Sequence, residues 1–286
     1  MKVKIKNKFE KDNNIINKIN NKKKDFIFWG ILVLIIIIVY ILISSKEYSF
    51  LLVLSSLIQM FSFLIILLKI IKFKNCNGLS LNTLICYLLV LFGRLSSTLF
   101  YVTYLPNDDS GDWFYQLTEI ISFILIIYLI YLIKKKFKET SDLNFDNIKY
   151  YYFTIPCLII AIFIHPTLNS NILTDTLWTF SMYLQTFSIL PQIQLFINKK
   201  GKIENYTSHY VALCGLSTLF SLLYWFDCYN SLNSWNVVLF PLFSQSVGYF
   251  ILFFQCLQLI IMIDFYYLYF KSLCKGKEID TLSVNI

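Results

Sequence analysis

The sequence predicts an all-α polytopic membrane protein, and three observations support this fold class. Of its 286 residues, 57% are hydrophobic and only 15% are charged, whereas roughly a quarter of the residues in an average soluble domain are charged. So few charges cannot shield this much apolar surface from water, so lipid must cover part of it. Apolar runs of about 20 residues, the length of a transmembrane helix, recur along the chain. Lysines cluster at their ends.

The N-terminal region has two parts. Residues 1–25 are rich in Lys and Asn, and nine of the 25 Lys and Arg residues lie between Lys2 and Lys24. With so little apolar content, this stretch is predicted to be a disordered cytosolic tail. Residues 26–45 begin with the run FIFWGILVLIIIIVYILI, and no clear small-residue cleavage site follows it. This run predicts a retained signal-anchor helix.

Seven further spans are predicted, and the last is followed by a cytosolic tail at residues 271–286. The span at 151–166 is short and contains Pro156, and the semi-apolar stretch between Asn230 and Ser244 contains Pro241, which predicts a re-entrant or interfacial segment. The predicted spans are 49–68, 81–104, 114–133, 151–166, 175–197, 209–226 and 246–270.

The distribution of lysines predicts the orientation in the membrane. With eight spans, the lysines of three connecting loops and of the C-terminal tail fall on the same side as the N-terminus. The opposite side receives only Lys46, together with the acidic segment PNDDSGD at 106–112. Because positive loops stay in the cytosol, both termini are expected to be cytosolic.

Several function classes have no support in the sequence. The net charge of +8 comes from lysines beside apolar runs and in the N-terminal tail, which does not suggest a nucleic-acid surface. The seven cysteines form no CxxC pair, and the two histidines are far apart, so neither disulfides nor a metal site nor a cofactor is predicted. No nucleophile and base pattern, phosphate loop or HExxH motif occurs, so the chain is not expected to be an enzyme.

Ionisable residues inside spans are costly, so each one is a functional hypothesis. Arg94 is the only arginine in the chain and lies in the apolar run LLVLFGRLSSTLF. It fits either the binding of a carboxylate ligand or a structural pair with an acid on another helix. Asp175 fits either a first-turn helix residue or a luminal carboxylate that meets a cationic ligand group, with Trp178 on the same helical face. Glu119 and Asp227, near luminal ends, are interpreted as solvated boundary residues.

The segment 175–215 is the most specific feature of the chain. It contains an acid followed by LWTFS, then Tyr183 and Leu184, ILPQ at 189–192, a short basic loop and TSHY at 207–210. Further matching blocks are LLKIIKFKNCNGLS at 67–80, KFKET at 136–140 and IDFYYLYF at 263–270. In this order and spacing, residues 48–286 resemble the KDEL receptors, also called ER lumen protein-retaining receptors.

The resemblance implies a seven-helix bundle of the PQ-loop and SWEET-like type over residues 46–270, with two three-helix halves and a linker helix. Residues 26–45 would then be an additional transmembrane helix. Family receptors bind C-terminal KDEL or HDEL tetrapeptides in the Golgi and return their cargo to the ER in vesicles coated by coat protein I (COPI). The resemblance therefore implies a multi-pass protein of the ER and cis-Golgi membranes. The expected partners are such a tetrapeptide or a variant signal, the COPI coat and membrane lipid.

The resemblance also implies roles for particular residues. Arg94 matches the arginine that grips the ligand carboxylate, Asp175 stands where the family has a glutamate near the ligand's first residue, and Trp178 and Trp225 match pocket tryptophans. Asp264 matches an aspartate needed for retrograde transport, and Lys275 and Lys277 match the coat-binding tail. The family's other pocket arginines are absent here, at positions near Leu52, Thr218 and Cys228, and its early histidine is replaced by Gln59.

Two other functions remain open on the sequence alone. A small-solute transporter of the PQ-loop type shares the fold and needs no peptide-binding arginines. A membrane scaffold that binds no ligand is the third possibility, because a fold does not fix a function.

Overall fold

A computed structural model of the chain describes residues 2–43, 48–101, 111–169, 171–199, 201–233, 246–276 and 279–280. These ranges are almost entirely helical. The longer helices are α1 (Lys2–Ile43), α2 (Phe50–Phe73), α3 (Leu81–Thr98), α4 (Asp112–Tyr131), α6 (Ile172–Phe187), α8 (Asn205–Asn233) and α9 (Val247–Ile261). The shorter elements are α5 (Tyr151–Phe163), α7 (Leu190–Lys199), α10 (Ile263–Lys275) and the two-residue strands β1 (Lys202–Ile203) and β2 (Ile279–Asp280).

The described helices confirm an all-α polytopic membrane protein. Five of them are long and apolar enough to cross a membrane, and α9 with α10, bent by 45° at Met262, makes a sixth candidate span. The N-terminal helix differs from the sequence prediction, because α1 begins at Lys2, where a disordered tail was expected. Neither Pro nor Gly occurs before Gly30, so no backbone feature interrupts this helix.

The sixth predicted span, 175–197, is broken into α6 and α7. Pro191 lacks an N–H group and its ring clashes with the preceding turn, which ends α6 at Phe187. The amide of Gln192 then holds the start of α7 against the loop before α3: its Nε2 donates to the Gly78 carbonyl at 2.7 Å and its Oε1 accepts from the Ser80 N–H at 2.9 Å. The Pro-Gln pair therefore both breaks the helix and fixes the new segment.

The connections α2–α3, α4–α5 and α7–α8 meet at one end of the bundle, called here the lysine-rich end. Asp142 accepts hydrogen bonds from the Gly78 N–H at 2.6 Å and from Lys199 Nζ at 2.5 Å. Strands β1 and β2 pair antiparallel, which joins the loop before α8 to the chain after α10. The stretch containing Pro241, the segment 106–110 and Lys277 lie outside the described residues.

The core of the bundle is formed by α2, α3, α4, α6, α8 and α9, while α1 lies outside. Helices α2 and α8 exchange hydrogen bonds through Ser55 and Ser217, each hydroxyl donating to the other residue's carbonyl at 2.8 Å. In contrast, only 11% of the apolar window in α1 is buried. Most of the surface of this apolar window is therefore not covered by the other described helices.

Candidate functional site

Helices α3 and α6 approach closely at Gly93. A Cβ atom at this position would lie 2.7 Å from the carbonyl oxygen of Leu177 and 3.3 Å from the Cβ atom of Ser181. One turn later, Ser97 Oγ donates to the carbonyl of Thr174 at 2.8 Å. Small side chains let the two backbones pack together, as is common between membrane helices. This contact places Arg94, the next residue of α3, beside α6.

The guanidinium of Arg94 joins three helices. Its Nη1 donates to Glu119 Oε1 on α4 at 2.8 Å, and its Nη2 donates to Gln185 Oε1 on α6. The structural ion pair considered for Arg94 is therefore present. The interpretation of Glu119 as a solvated boundary residue is wrong, since only 1% of its surface is exposed. A buried cation of this kind needs a counter-ion, and the carboxylate of Glu119 supplies it.

Arg94 lines a small cavity between α2, α3, α4, α6 and α8, in which about 10 Å³ is open to a water-sized sphere. Trp178 and Trp225 form one wall, with ring centroids 5.6 Å apart and ring planes at 70°. Among the described lining residues, Arg94 is the only charged one, and Leu52 occupies a wall position where the family resemblance expected an arginine nearby. The remaining lining residues are Ser55, Ser56, Tyr115, Met182, Gln185 and Ser221.

Three buried polar atoms, two on cavity-lining residues and one on the Glu119 partner of Arg94, have no hydrogen-bond partner among the described residues. Two are donors, Nε of Arg94 and Nε1 of Trp225, and one is an acceptor, Oε2 of Glu119. Leaving a buried polar group unsatisfied costs about 1–3 kcal/mol, so buried polar groups normally have partners. One of these donors belongs to the positively charged guanidinium itself, and two such donors suit a ligand that carries a carboxylate.

Asp175 is fully buried in the first turn of α6 but is not part of the cavity lining. Its Oδ1 accepts a hydrogen bond from the Leu168 N–H at 3.2 Å, which holds the loop before the helix. Asn171 is the N-cap residue and accepts from the Leu173 N–H at 3.1 Å. The structure thus brings Arg94, Trp178 and Trp225 together and leaves Asp175 one helical turn away from Trp178.

The residues assigned to transport do not line the cavity. Asp264 is exposed in the first turn of α10, two residues after Met262, where the 45° bend between α9 and α10 occurs. Lys275 is exposed in the last turn of α10. Within the described ranges, no three His, Cys, Asp or Glu side chains are arranged to hold a metal ion.

Glu119 and Gln185 are neighbours of Arg94 that the sequence patterns did not single out as site residues. For Glu119 a signal was present, because it is the only acid in the apolar run 113–133, and an acid within a span usually has a partner. Gln185 lies seven residues after Trp178, which places it on the same face of α6. Neither signal identifies Arg94 as the partner, since that pairing depends on how α3, α4 and α6 pack.

Comparisons with known proteins converge on one family. A family model for the ER lumen protein retaining receptor matches residues 75–227. An ER lumen protein-retaining receptor of Dictyostelium discoideum is 30% identical over 229 residues, covering 79% of this chain and 95% of the relative. The receptor of Entamoeba histolytica is 28% identical over 225 residues, which cover 78% of this chain and 94% of the relative. The receptor of Plasmodium falciparum is 35% identical over 176 residues, which cover 60% of this chain and 74% of the relative.

Proposed function

This chain belongs to the family of ER lumen protein retaining receptors, and from this membership we propose that it binds C-terminal retention signals of ER luminal proteins and retrieves them from the Golgi to the ER. Counting the membrane domain from α2, and taking the broken pairs α6–α7 and α9–α10 as single spans, gives the seven helices of a PQ-loop bundle. In this arrangement α5 is the linker between the two halves and α1 is the added span. Both termini are cytosolic.

The observation that carries this proposal is the single buried arginine in the cavity. A guanidinium stays protonated at any physiological pH and forks onto a carboxylate with two parallel hydrogen bonds. Arg94 therefore binds the terminal carboxylate of the signal, and its unused Nε and the indole N–H of Trp225 supply donors for it. Trp178 and Trp225 give the peptide an apolar wall.

The ligand carboxylate has to compete with a carboxylate of the protein itself. Glu119 already accepts a hydrogen bond from Arg94 at 2.8 Å. One guanidinium in a poorly hydrated cavity cannot balance two negative charges without a large cost. Glu119 must therefore take up a proton or move away from Arg94 when the ligand binds.

The cavity also limits the chemistry of the signal. Because Arg94 is the one cation among the described lining residues, a tetrapeptide with several acidic side chains would bring carboxylates without partners. We therefore expect a variant of KDEL or HDEL in which the terminal carboxylate is the main negative charge. Asp175 fixes the loop before α6, and its proposed second role is contact with the first residue of the signal.

Return of the cargo requires coupling of the cavity to the cytosolic side. The bend between α9 and α10, with Asp264 exposed beside it, is the point at which ligand binding would alter the position of α10. Lys275 at the end of α10, and Lys277 beyond it, would then bind the COPI coat. Asp264 thereby acts as a conformational switch residue rather than as a ligand group.

A peptide panel tests this function. Labelled C-terminal peptides would be titrated onto the purified protein at pH about 5.5 and about 7.4, a range in which carboxylate and imidazole protonation changes. The panel contains KDEL and HDEL, versions with Asp→Asn and Glu→Gln, and a C-terminal amide. Binding that needs the free carboxylate and is lost in Arg94→Ala supports a retrieval receptor. Failure of every peptide to bind at both pH values would refute the proposal.

A further inference from the structure

A second large cavity lies at the lysine-rich end, between α1 and the ends of α2 and α8. About 720 Å³ of it is open to a water-sized sphere, far more than in the cavity around Arg94, and we call it the α1 groove. Its apolar lining includes Phe28, Ile65 and Leu68, and its polar lining includes Lys24 and Lys72. Ile65 lies seven residues before Lys72 in α2, a distance of about 10 Å along the helix.

The wall formed by α1 is fixed by a chain of polar contacts. Trp29 Nε1 donates to the hydroxyl of Tyr269 at 3.1 Å, and that hydroxyl lies 2.7 Å from Nδ1 of His209. Nε2 of His209 lies 3.3 Å from Oδ1 of Asp25, and the ring of Phe28 stacks on the imidazole at 4.5 Å. These contacts join α1 to α8 and α10, so α1 is held in place as the second wall of the groove, opposite α2.

Two lysines of the groove, Lys24 and Lys72, are not paired with an acid of the groove. Of its two acids, Asp25 faces His209, and Glu204 pairs with the buried Lys69 at 2.9 Å. Neither Lys24 nor Lys72 has a carboxylate within 4.0 Å among the described side chains. Both are exposed. Lys72 is held over the ring of Tyr206, with Nζ 5.6 Å from the centroid, which orients its ammonium group without neutralising it.

We propose that the α1 groove binds an anionic phospholipid of the cytosolic leaflet. The headgroup phosphate contacts Lys24 and Lys72, and an acyl chain lies along Phe28, Ile65 and Leu68. Leu68 is 51% exposed, so the apolar part of the groove is continuous with the hydrocarbon that surrounds a membrane helix. Basic pockets between helices on the cytosolic side are known to select acidic headgroups. A free phosphate would leave the apolar part of the groove unfilled, which is why the proposal requires a diacyl lipid.

The test is native mass spectrometry of the full chain, released from detergent micelles that contain equimolar phosphatidylinositol and phosphatidylcholine with the same acyl chains. We expect a clear excess of phosphatidylinositol adducts on the unmodified protein. Each lysine at an anionic surface contributes about fivefold in affinity, so Lys24→Gln with Lys72→Gln should reduce this excess by roughly twenty-five-fold. Both positions are exposed, so the double variant is expected to fold.

Lys134→Gln with Lys135→Gln is the matched control, since these lysines are also exposed at the same end but lie in the π-helical turn Leu132–Lys136 that follows α4. It should retain the excess of phosphatidylinositol. Equal binding of both lipids by the unmodified protein, or an excess that survives in the Lys24 and Lys72 variant, would overturn the proposal. Full competition by soluble glycerophosphoinositol would identify a headgroup site only and would overturn the assignment of a diacyl lipid. None of these readouts depends on retrieval activity.

Discussion

Replacement of Glu119 by glutamine removes the negative charge beside Arg94 and keeps an amide oxygen that still accepts a hydrogen bond. At the observed distance of 2.8 Å, Coulomb's law with an effective dielectric constant of about 20 gives roughly 6 kcal/mol of attraction. Desolvation offsets part of this, and measured coupling energies of close charge pairs span about 1.5–7 kcal/mol. The substitution therefore leaves the charge of Arg94 largely uncompensated until a carboxylate ligand binds.

The expected result is tighter peptide binding together with a less stable protein. A net coupling at the low end of this range, about 1.5 kcal/mol, already corresponds to more than a tenfold change in Kd. The variant should therefore bind a free C-terminal peptide about tenfold or more tightly at neutral pH. In the unmodified protein, protonation of Glu119 neutralises the same charge, so affinity should rise as the pH falls. In Glu119→Gln this dependence should be reduced.

The assay is fluorescence titration of a labelled peptide across the pH range, combined with thermal unfolding of the same samples. Glu204→Gln serves as the control, because Glu204 pairs with Lys69 at 2.9 Å at the lysine-rich end, away from the cavity. It should leave Kd unchanged. If Glu119→Gln instead weakened binding as severely as Arg94→Ala, Glu119 would be part of the ligand contact. Competition between Glu119 and the ligand carboxylate for Arg94 would then be refuted.

Three further predictions follow from other parts of the structure. Gly93→Ala should lower the free energy of unfolding by about 1–3 kcal/mol through overpacking, measured by thermal unfolding, whereas Gly30→Ala, with nothing within 4 Å, should not. Asp175→Asn keeps an acceptor for the loop before α6, so its peptide affinity should be unchanged; a selective loss of affinity in a stable variant would show direct ligand contact. A membrane-impermeant maleimide added to vesicles with the cytosolic face outward should label the exposed Cys274 and not the buried Cys76, because burial raises the pKa of that thiol to about 11 and keeps it protonated. Protection of Cys274 in intact vesicles, with labelling only after detergent, would contradict a cytosolic C-terminus.

The positions of the helices followed from hydropathy, but their breaks did not. The run 175–197 is continuous in apolar character, yet it divides before Pro191, and the presence of that proline was visible in advance. The bend at Met262 has no proline or glycine beside it. The bend therefore depends on packing against neighbouring helices. One contact of this packing is the hydrogen bond that the hydroxyl of Tyr266 on α10 donates to the carbonyl of Ala212 on α8 at 2.7 Å.

The candidate site was predicted in part. Arg94, Trp178 and Trp225 were singled out from the sequence, and all three line one cavity. Asp175 was singled out with them, but its carboxylate binds the backbone at Leu168. For a residue in the first turn of a helix, the sequence supports both a structural and a ligand-binding role, and the choice depends on which backbone groups the fold brings within reach.

The sequence by itself determined that the chain is a multi-span helical membrane protein, because hydropathy and charge are summed over local segments and need no tertiary information. It also determined the family, through motifs at fixed spacing. Only the tertiary structure decided that Glu119 neutralises Arg94 and that α1 forms one wall of a lipid-sized groove. Arg94 and Glu119, 25 positions apart, meet through helix packing, and no local pattern records which helices become neighbours.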